Sequence, residues 1–288
     1  MDYWKILRVL TTNACNYKCF YCHNEGQDKV GNLTVLSYEN FLKIMEGVKD
    51  TKIEEIRFSG GEPLMNKKTI DMIEWVDKNT EYEVGLATNG SLLDENIVQR
   101  LSKTRVMITL HFPGATLEEY KKVTSKDFKS FINCVELLEK YNIDYSFNYV
   151  LYPETIDNIN DVILYAVNKN RRLKLLPYIE NNFRNFSSEI IKKLNKIFDE
   201  KNWKKEYDTE YGITYWSFKN KILIKMIDSP CYEKNIKKCR AYGEIRLLPD
   251  MKFQSCIFGE KIDVVNINEI SKQMDNLWEK FKECSWRE

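Results

Sequence analysis

Cys15-Asn16-Tyr17-Lys18-Cys19-Phe20-Tyr21-Cys22 puts three thiols within eight residues, spaced x3 and then x2. They follow directly on the apolar run Ile6, Leu7, Val9 and Leu10, which reads as a first strand. Soft thiolates this close together suit an iron–sulfur cluster or zinc, because one short loop folds several sulfurs around one centre. Only three are offered, so a four-iron cubane held here keeps one iron without a protein ligand. Zinc would want a fourth donor nearby, and the adjacent His23 is too close to Cys22 in sequence to share a tetrahedral site comfortably. The size of the chain and the lack of a secretory segment disfavour a disulfide framework, and core cysteines would not cluster in a loop.

Outward from this loop, strand-like and helix-like runs alternate. Ser37 caps a helix with Phe41, Ile44, Met45 and Val48 on one face. A short strand, Ile53 to Phe58, halts at Ser59-Gly60-Gly61-Glu62-Pro63. A helix through Ile70 and Ile73 follows, then a strand from Val84 to Ala87, a helix with Leu93, Ile97 and Leu101, and a strand at Val106, Ile108 and Leu110. A helix with Phe131, Cys134, Val135 and Leu138 carries Cys134 on its apolar face, as a core residue. A strand from Tyr145 to Leu151, a helix with Ile159, Val162, Ile163 and Ala166, and a strand from Leu173 to Leu176 complete six β-then-α units.

Six such units in series imply a parallel sheet with right-handed crossovers. They are too few to close an eight-stranded barrel. The fold class expected is therefore α/β, a partial (β/α)6 TIM-like barrel with a small C-terminal α+β domain, and reactive groups gather at the carboxyl ends of such strands. The pattern changes beyond about residue 180. Residues 181–210 read as a helical bridge with Ile191, Leu194 and Phe198, and residues 211–288 as a smaller unit. Within that unit Tyr211 to Phe218 and Lys221 to Ile227 flank Lys219-Asn220 as a hairpin. Glu244 to Leu248 pairs with Lys252 to Ser255 about Pro249-Asp250, and a last helix runs through Ile270, Met274, Leu277, Trp278 and Phe281 to Cys284.

Lys+Arg 44 against Asp+Glu 43 leaves a net charge of +1, interspersed along the chain, so no nucleic acid is expected as a partner. No run of eighteen apolar residues and no signal-peptide core are present, which points away from a membrane and to the cytoplasm. Eight cysteines there serve better as metal ligands than as bridges.

The Cys15-x3-Cys19-x2-Cys22 spacing resembles the signature of the radical S-adenosylmethionine (SAM) superfamily. The resemblance implies that these cysteines carry a catalytic [4Fe-4S] cluster whose fourth iron is left to the amino and carboxylate groups of SAM. Gly60-Gly61-Glu62-Pro63, at the end of the second strand, supports it independently: glycines admit close backbone approach, and a carboxylate in the turn accepts from an ammonium. In this superfamily the matching tetrapeptide holds the methionine amino group. By the same likeness Tyr21 lies against adenine, Thr88 and Asn89 lie near the ribose, and Asn148 on the fifth strand contacts SAM, with plain strand-end hydrogen bonding as the alternative for the last three. His111, ending the fourth strand, should face the cavity as a structural histidine or a proton donor.

Cys231, Cys239 and Cys256, spaced x7 and x16 around two short strands, cannot form one compact loop, yet the fold can bring them together. Their segment resembles the auxiliary-cluster domains called SPASM and Twitch, which implies a second [4Fe-4S] cluster, with Cys284 as a further ligand and zinc as the rival metal.

Across most of its length the chain also resembles the molybdenum-cofactor GTP 3′,8-cyclases. Arg8 and Arg246 stand at positions of GTP-contacting arginines, but a Cys-x2-Cys has become Cys231-x7-Cys239, and Glu244 stands where a second phosphate-binding arginine belongs. A carboxylate facing a triphosphate costs affinity, and the chain ends Ser285-Trp286-Arg287-Glu288 without a terminal Gly-Gly. The expectation is a relative of the cyclases that uses a 5′-deoxyadenosyl radical to abstract hydrogen from a peptide or small-molecule substrate, fed by a flavodoxin or ferredoxin type donor. The rivals are the cyclase itself and a non-catalytic zinc or iron–sulfur binding module. With the barrel beginning almost at Met1, a peptide substrate is expected to need a separate carrier or a short recognition sequence.

Overall fold

The computed structural model describes residues 3–22, 33–179, 184–208, 210–219, 221–227, 231–264 and 266–286. His23, Asn220, Arg287 and Glu288, all used in the sequence reading, lie outside them. The first strand, β1 (Ile6–Leu10), leads through the cysteine loop to α1 (Tyr38–Val48), then β2 (Glu55–Ser59), α2 (Thr69–Asn79), β3 (Glu83–Thr88), α3 (Glu95–Leu101) and β4 (Met107–His111). Two helices follow, α4 (Leu117–Thr124) and α5 (Lys129–Lys140), then β5 (Tyr145–Leu151), α6 (Ile159–Asn168) and β6 (Leu173–Pro177). These six strands pair in sequence order, all parallel. The partial barrel is there, as a curled, open sheet.

Local chemistry accounts for the elements. Ser37 caps α1 by accepting from the Asn40 backbone N–H at 3.1 Å, and the helix buries Phe41, Ile44, Met45 and Val48 at helical spacing. In β5, Tyr145, Phe147, Tyr149 and Leu151 are buried under the helices, while Ser146, Asn148 and Val150 look into the barrel. The sequence reading passed over α4, whose signal was present: Thr116 and Glu119 form a reciprocal capping box.

The remaining elements are α7 (Arg184–Glu200), β7 (Lys204–Asp208), β8 (Ile213–Phe218), β9 (Lys221–Ile227), α8 (Ile236–Tyr242), β10 (Glu244–Leu247), β11 (Lys252–Gln254), β12 (Lys261–Asp263) and α9 (Ile270–Lys280). Both hairpins expected from sequence form, β8 with β9 and β10 with β11. They attach at opposite edges of the barrel: β9 pairs parallel with β6, and β10 pairs parallel with β1. One sheet of twelve strands results, in the order β12-β11-β10-β1-β2-β3-β4-β5-β6-β9-β8-β7. Residues 204–208, read from sequence as part of a helical bridge, are the edge strand β7.

Candidate active site

The cysteine loop leaves β1 at the carboxyl edge of the sheet and is clamped there by the end of β2. Gly61 N–H donates to the Thr12 carbonyl at 2.9 Å and Glu62 N–H to the Ala14 carbonyl at 2.7 Å. A side chain at either glycine would collide with this backbone: an added Cβ lies 2.5 Å from the Thr12 oxygen at Gly60 and 2.0 Å from the Ala14 oxygen at Gly61. Gly60 also has φ +144, a conformation other residues rarely adopt. The two glycines thus admit the cysteine loop itself.

Glu62 is buried, and its carboxylate accepts three hydrogen bonds from the protein. Oε1 accepts from Thr88 Oγ1 at 2.6 Å and from Leu64 N–H at 3.1 Å, and Oε2 accepts from Asn89 N–H at 2.8 Å. It therefore ties the β2 end to the β3 end. Asn89 extends the tie: its Nδ2 donates to Asn16 Oδ1 at 2.9 Å, and Asn16 Nδ2 donates to Ser91 Oγ at 2.8 Å. Thr88 and Asn89 are thus joined to the cysteine loop through Glu62 and Asn16. Asn16 was missed in the sequence reading, although it lies between two of the thiols.

Cys15 and Cys19 are half-buried and Cys22 is exposed, with Cys22 N–H donating to the Cys19 carbonyl at 3.0 Å. Burial first, then the neighbouring Cys22 and Cys15, push the Cys19 thiol up to about 12. Thiols so placed give up their protons on binding a cation, not to water. His111 Nε2 lies 3.6 Å from Cys19 Sγ and 3.5 Å from the Tyr21 hydroxyl. Burial pulls its imidazole down to about 4, so it is neutral at ordinary pH. The Tyr21 ring packs between Phe20, His111 and Tyr152. Beside His111 in strand register, Asn148 has a buried Oδ1 with no hydrogen-bond partner among the described residues, an acceptor held open towards the barrel interior. A three-thiol loop with a vacant acceptor beside it fits a cluster that carries a polar nucleoside ligand.

The interior beyond is strongly charged. Arg8 forms a two-pronged ion pair with Glu244, 2.8 Å on each side, and Arg57 forms another with Glu55 at 2.8 and 2.7 Å. Arg57 also reaches the Tyr242 hydroxyl at 2.8 Å and Glu244 at 3.3 Å, while Arg246 lies 3.7 Å from Glu244. Burial would raise the Glu244 carboxyl, but Arg8, Arg246 and Arg57 outweigh it and hold it at about 2. Sequence reasoning missed Arg57, Lys174 and Lys225. The available signal was a single charge set between apolar neighbours in strands otherwise built for burial, as in Ile56-Arg57-Phe58 and Leu173-Lys174-Leu175.

The C-terminal thiols gather at the edge of this interior. Burial, then Cys239, Cys284 and Cys256, push the Cys231 thiol up to about 12, and Cys239 rises to about 11 through burial and then Cys284 and Cys256. Cys231 and Cys239 are thus within electrostatic reach of each other and of both Cys256 and Cys284. A cavity of about 320 Å³ joins them to the barrel, lined by Cys231, Cys239 and Cys256 on one side and by Arg8, Lys174 and Arg246 on the other. Among the described residues no three Cys, His, Asp or Glu side chains converge tightly enough to hold a single metal ion. Among the described residues no helix is long and apolar enough to cross a membrane.

The sequence profile of the Radical SAM superfamily matches residues 9–166. The chain is 24% identical over 282 residues to a probable GTP 3′,8-cyclase of Saccharolobus solfataricus, covering 91% of this chain and 86% of that protein. It is 29% identical over 266 residues to the radical SAM cyclopropyl synthase TigE of Paramaledivibacter caminithermalis, covering 83% of this chain but 54% of that protein. Among solved structures, Streptococcus suis SuiB bound to S-adenosylmethionine has a TM-score of 0.71 at 11% identity, over 93% of this chain and 65% of SuiB. Native anSMEcpe with bound AdoMet has a TM-score of 0.67 at 18% identity, over 93% and 79%. At such identities the structural likeness is one of fold.

Proposed function

The chain belongs to the radical SAM superfamily, and from that premise we propose that it abstracts hydrogen from a C–H bond of a peptide or small-molecule substrate held between its two sets of cysteines. Membership implies SAM and a [4Fe-4S] cluster, which together supply a one-electron cleavage giving methionine and a 5′-deoxyadenosyl radical. Cys15, Cys19 and Cys22 hold that cluster in this reading. The backbone at Gly60 to Pro63, Tyr21 and the open Asn148 acceptor border the SAM-binding space, while Thr88, Asn89 and Glu62 keep the loop in place. Cys231, Cys239, Cys256 and Cys284 hold a second [4Fe-4S] cluster in the same reading, with a thiolate for every iron, and so pass electrons or support the wall of the chamber. A flavodoxin or ferredoxin type protein delivers the electron.

The observation that carries this reading is the cavity of about 320 Å³ that opens to the auxiliary thiols and the charged barrel interior together. Relatives named as GTP 3′,8-cyclases favour a second reading, cyclisation of GTP. Against it, Arg8 is engaged on both sides by Glu244, a carboxylate that would oppose a triphosphate. Anaerobically reconstituted protein should form 5′-deoxyadenosine from SAM and dithionite, and Cys19→Ala should abolish it. Retained turnover in that variant would refute the assignment. A cyclised nucleotide on incubation with GTP would replace the first reading with the second.

A further inference from the structure

We propose that Lys174 and Lys225 form a docking point for an anionic oxygen group, a carboxylate or phosphate, on the substrate. This rests on the reading of the barrel interior as the substrate chamber. The two lysines are direct neighbours in parallel register on β6 and β9, and the same row continues through Asn148 on β5 to His111 beside Cys19. Neighbouring strands lie about 4.8 Å apart, so Lys174 stands about 10 Å from His111 along the row, within a small substrate's length of the cysteine loop.

Both lysines line an interior cavity of about 220 Å³ together with Arg8, Glu55, Arg57 and Asn148. Lys174 also lines the larger cavity that reaches the auxiliary cysteines. The acids nearby are already engaged. Glu55 is held two-pronged by Arg57, and Glu244 is shared by Arg8, Arg57 and Arg246. Glu83, the other carboxylate lining this cavity, is exposed. Among the described residues Lys174 has no ion-pair or hydrogen-bond partner, and Lys225 has only the face of Tyr215, 5.6 Å from its amine. Two like charges side by side and partly buried repel each other and forgo hydration, which a fold tolerates where a ligand supplies the missing counter-charge. Burial, then Arg57 and Arg8, draw Lys174 down to about 8, outweighing the opposing pull of Glu244 and Glu55. Lys225 is lowered by burial and then by Lys174.

Thermal unfolding of the reconstituted protein at constant ionic strength, with chloride exchanged for inorganic phosphate or for acetate, tests this. At saturating anion the midpoint of the unmodified protein should rise by about 5 °C. In Lys174→Met and Lys225→Met the rise should vanish, while the midpoint in chloride holds or increases because a repulsive charge is gone. Which anion gives the rise identifies carboxylate or phosphate. No rise in the unmodified protein, or a rise that survives in both variants, overturns the proposal. Formation of 5′-deoxyadenosine without substrate, measured on the same samples, reads the SAM chemistry separately, so the two readings fail independently.

Discussion

Glu62, buried, and Glu244, nearly so, are acids held in opposite states by their neighbours. Burial pushes Glu62 up to about 7 although three donors pull it down, and no cation among the described residues offsets it. Glu244 also suffers burial, yet three guanidiniums hold it at about 2. The pH dependence of stability follows with opposite signs. The Glu62 contribution is full below about pH 4.5 and is lost as pH rises through 7. The Glu244 contribution is full above about pH 4.5 and is lost as pH falls towards 2. Denaturant unfolding of Glu62→Gln and Glu244→Gln against the unmodified protein, across pH 2 to 8, checks this. The difference curve for Glu62→Gln should slope between 4.5 and 7, and that for Glu244→Gln only at the acid end. At pH 7 Glu244→Gln should cost about 3 kcal/mol, because it strands guanidiniums in the interior. A loss equal at all pH values for both variants would contradict the assignment.

Among the elements, α9 shows how a C-terminal helix is locked onto the barrel. Trp4 Nε1 donates to the Met274 carbonyl at 2.9 Å, and its ring packs against Trp278 and Phe281. Arg240 from α8 donates to the Trp278 and Phe281 carbonyls at 2.9 and 2.8 Å. Gly47 in α1 lets this helix approach: an added Cβ would lie 2.7 Å from Ile270 Cβ and 2.9 Å from the Ile267 carbonyl oxygen. Glycine inside a helix costs about 1 kcal/mol relative to alanine, so propensity favours Gly47→Ala. Overpacking against atoms close to the α9 backbone costs about 1–3 kcal/mol, and it wins here. Gly47→Ala should therefore lower the melting midpoint, and a higher midpoint would show that α9 sits further away. The periodicity of α1 and α9 was plain in the sequence, but their mutual contact was not, since it depends on a missing side chain more than two hundred residues from its partner.

At the scale of the molecule, the C-terminal third was expected from sequence as a separate unit, and its hairpins instead extend the barrel sheet at both edges. Splitting it off would bare the unpaired edges of β1 and β6. We expect a single denaturant transition reported alike by far-UV circular dichroism and by tryptophan fluorescence, since Trp4 and Trp278 sit together beside β1 and Trp216 lies in β8 near the other edge of the sheet. Two separated transitions would establish independent units.

The alternation of strands and helices, the three-thiol loop and the strand-end position of Gly60 to Pro63 were legible in the sequence, because periodicity, capping and thiol spacing act over a few residues. Only the tertiary structure decided that Glu62 staples loops together, that Glu244 neutralises Arg8, and that Lys174 and Lys225 stand side by side. Those outcomes depend on which strands become neighbours and in what register. Charges far apart along the chain have no defined partners until the sheet curls and excludes water from between them.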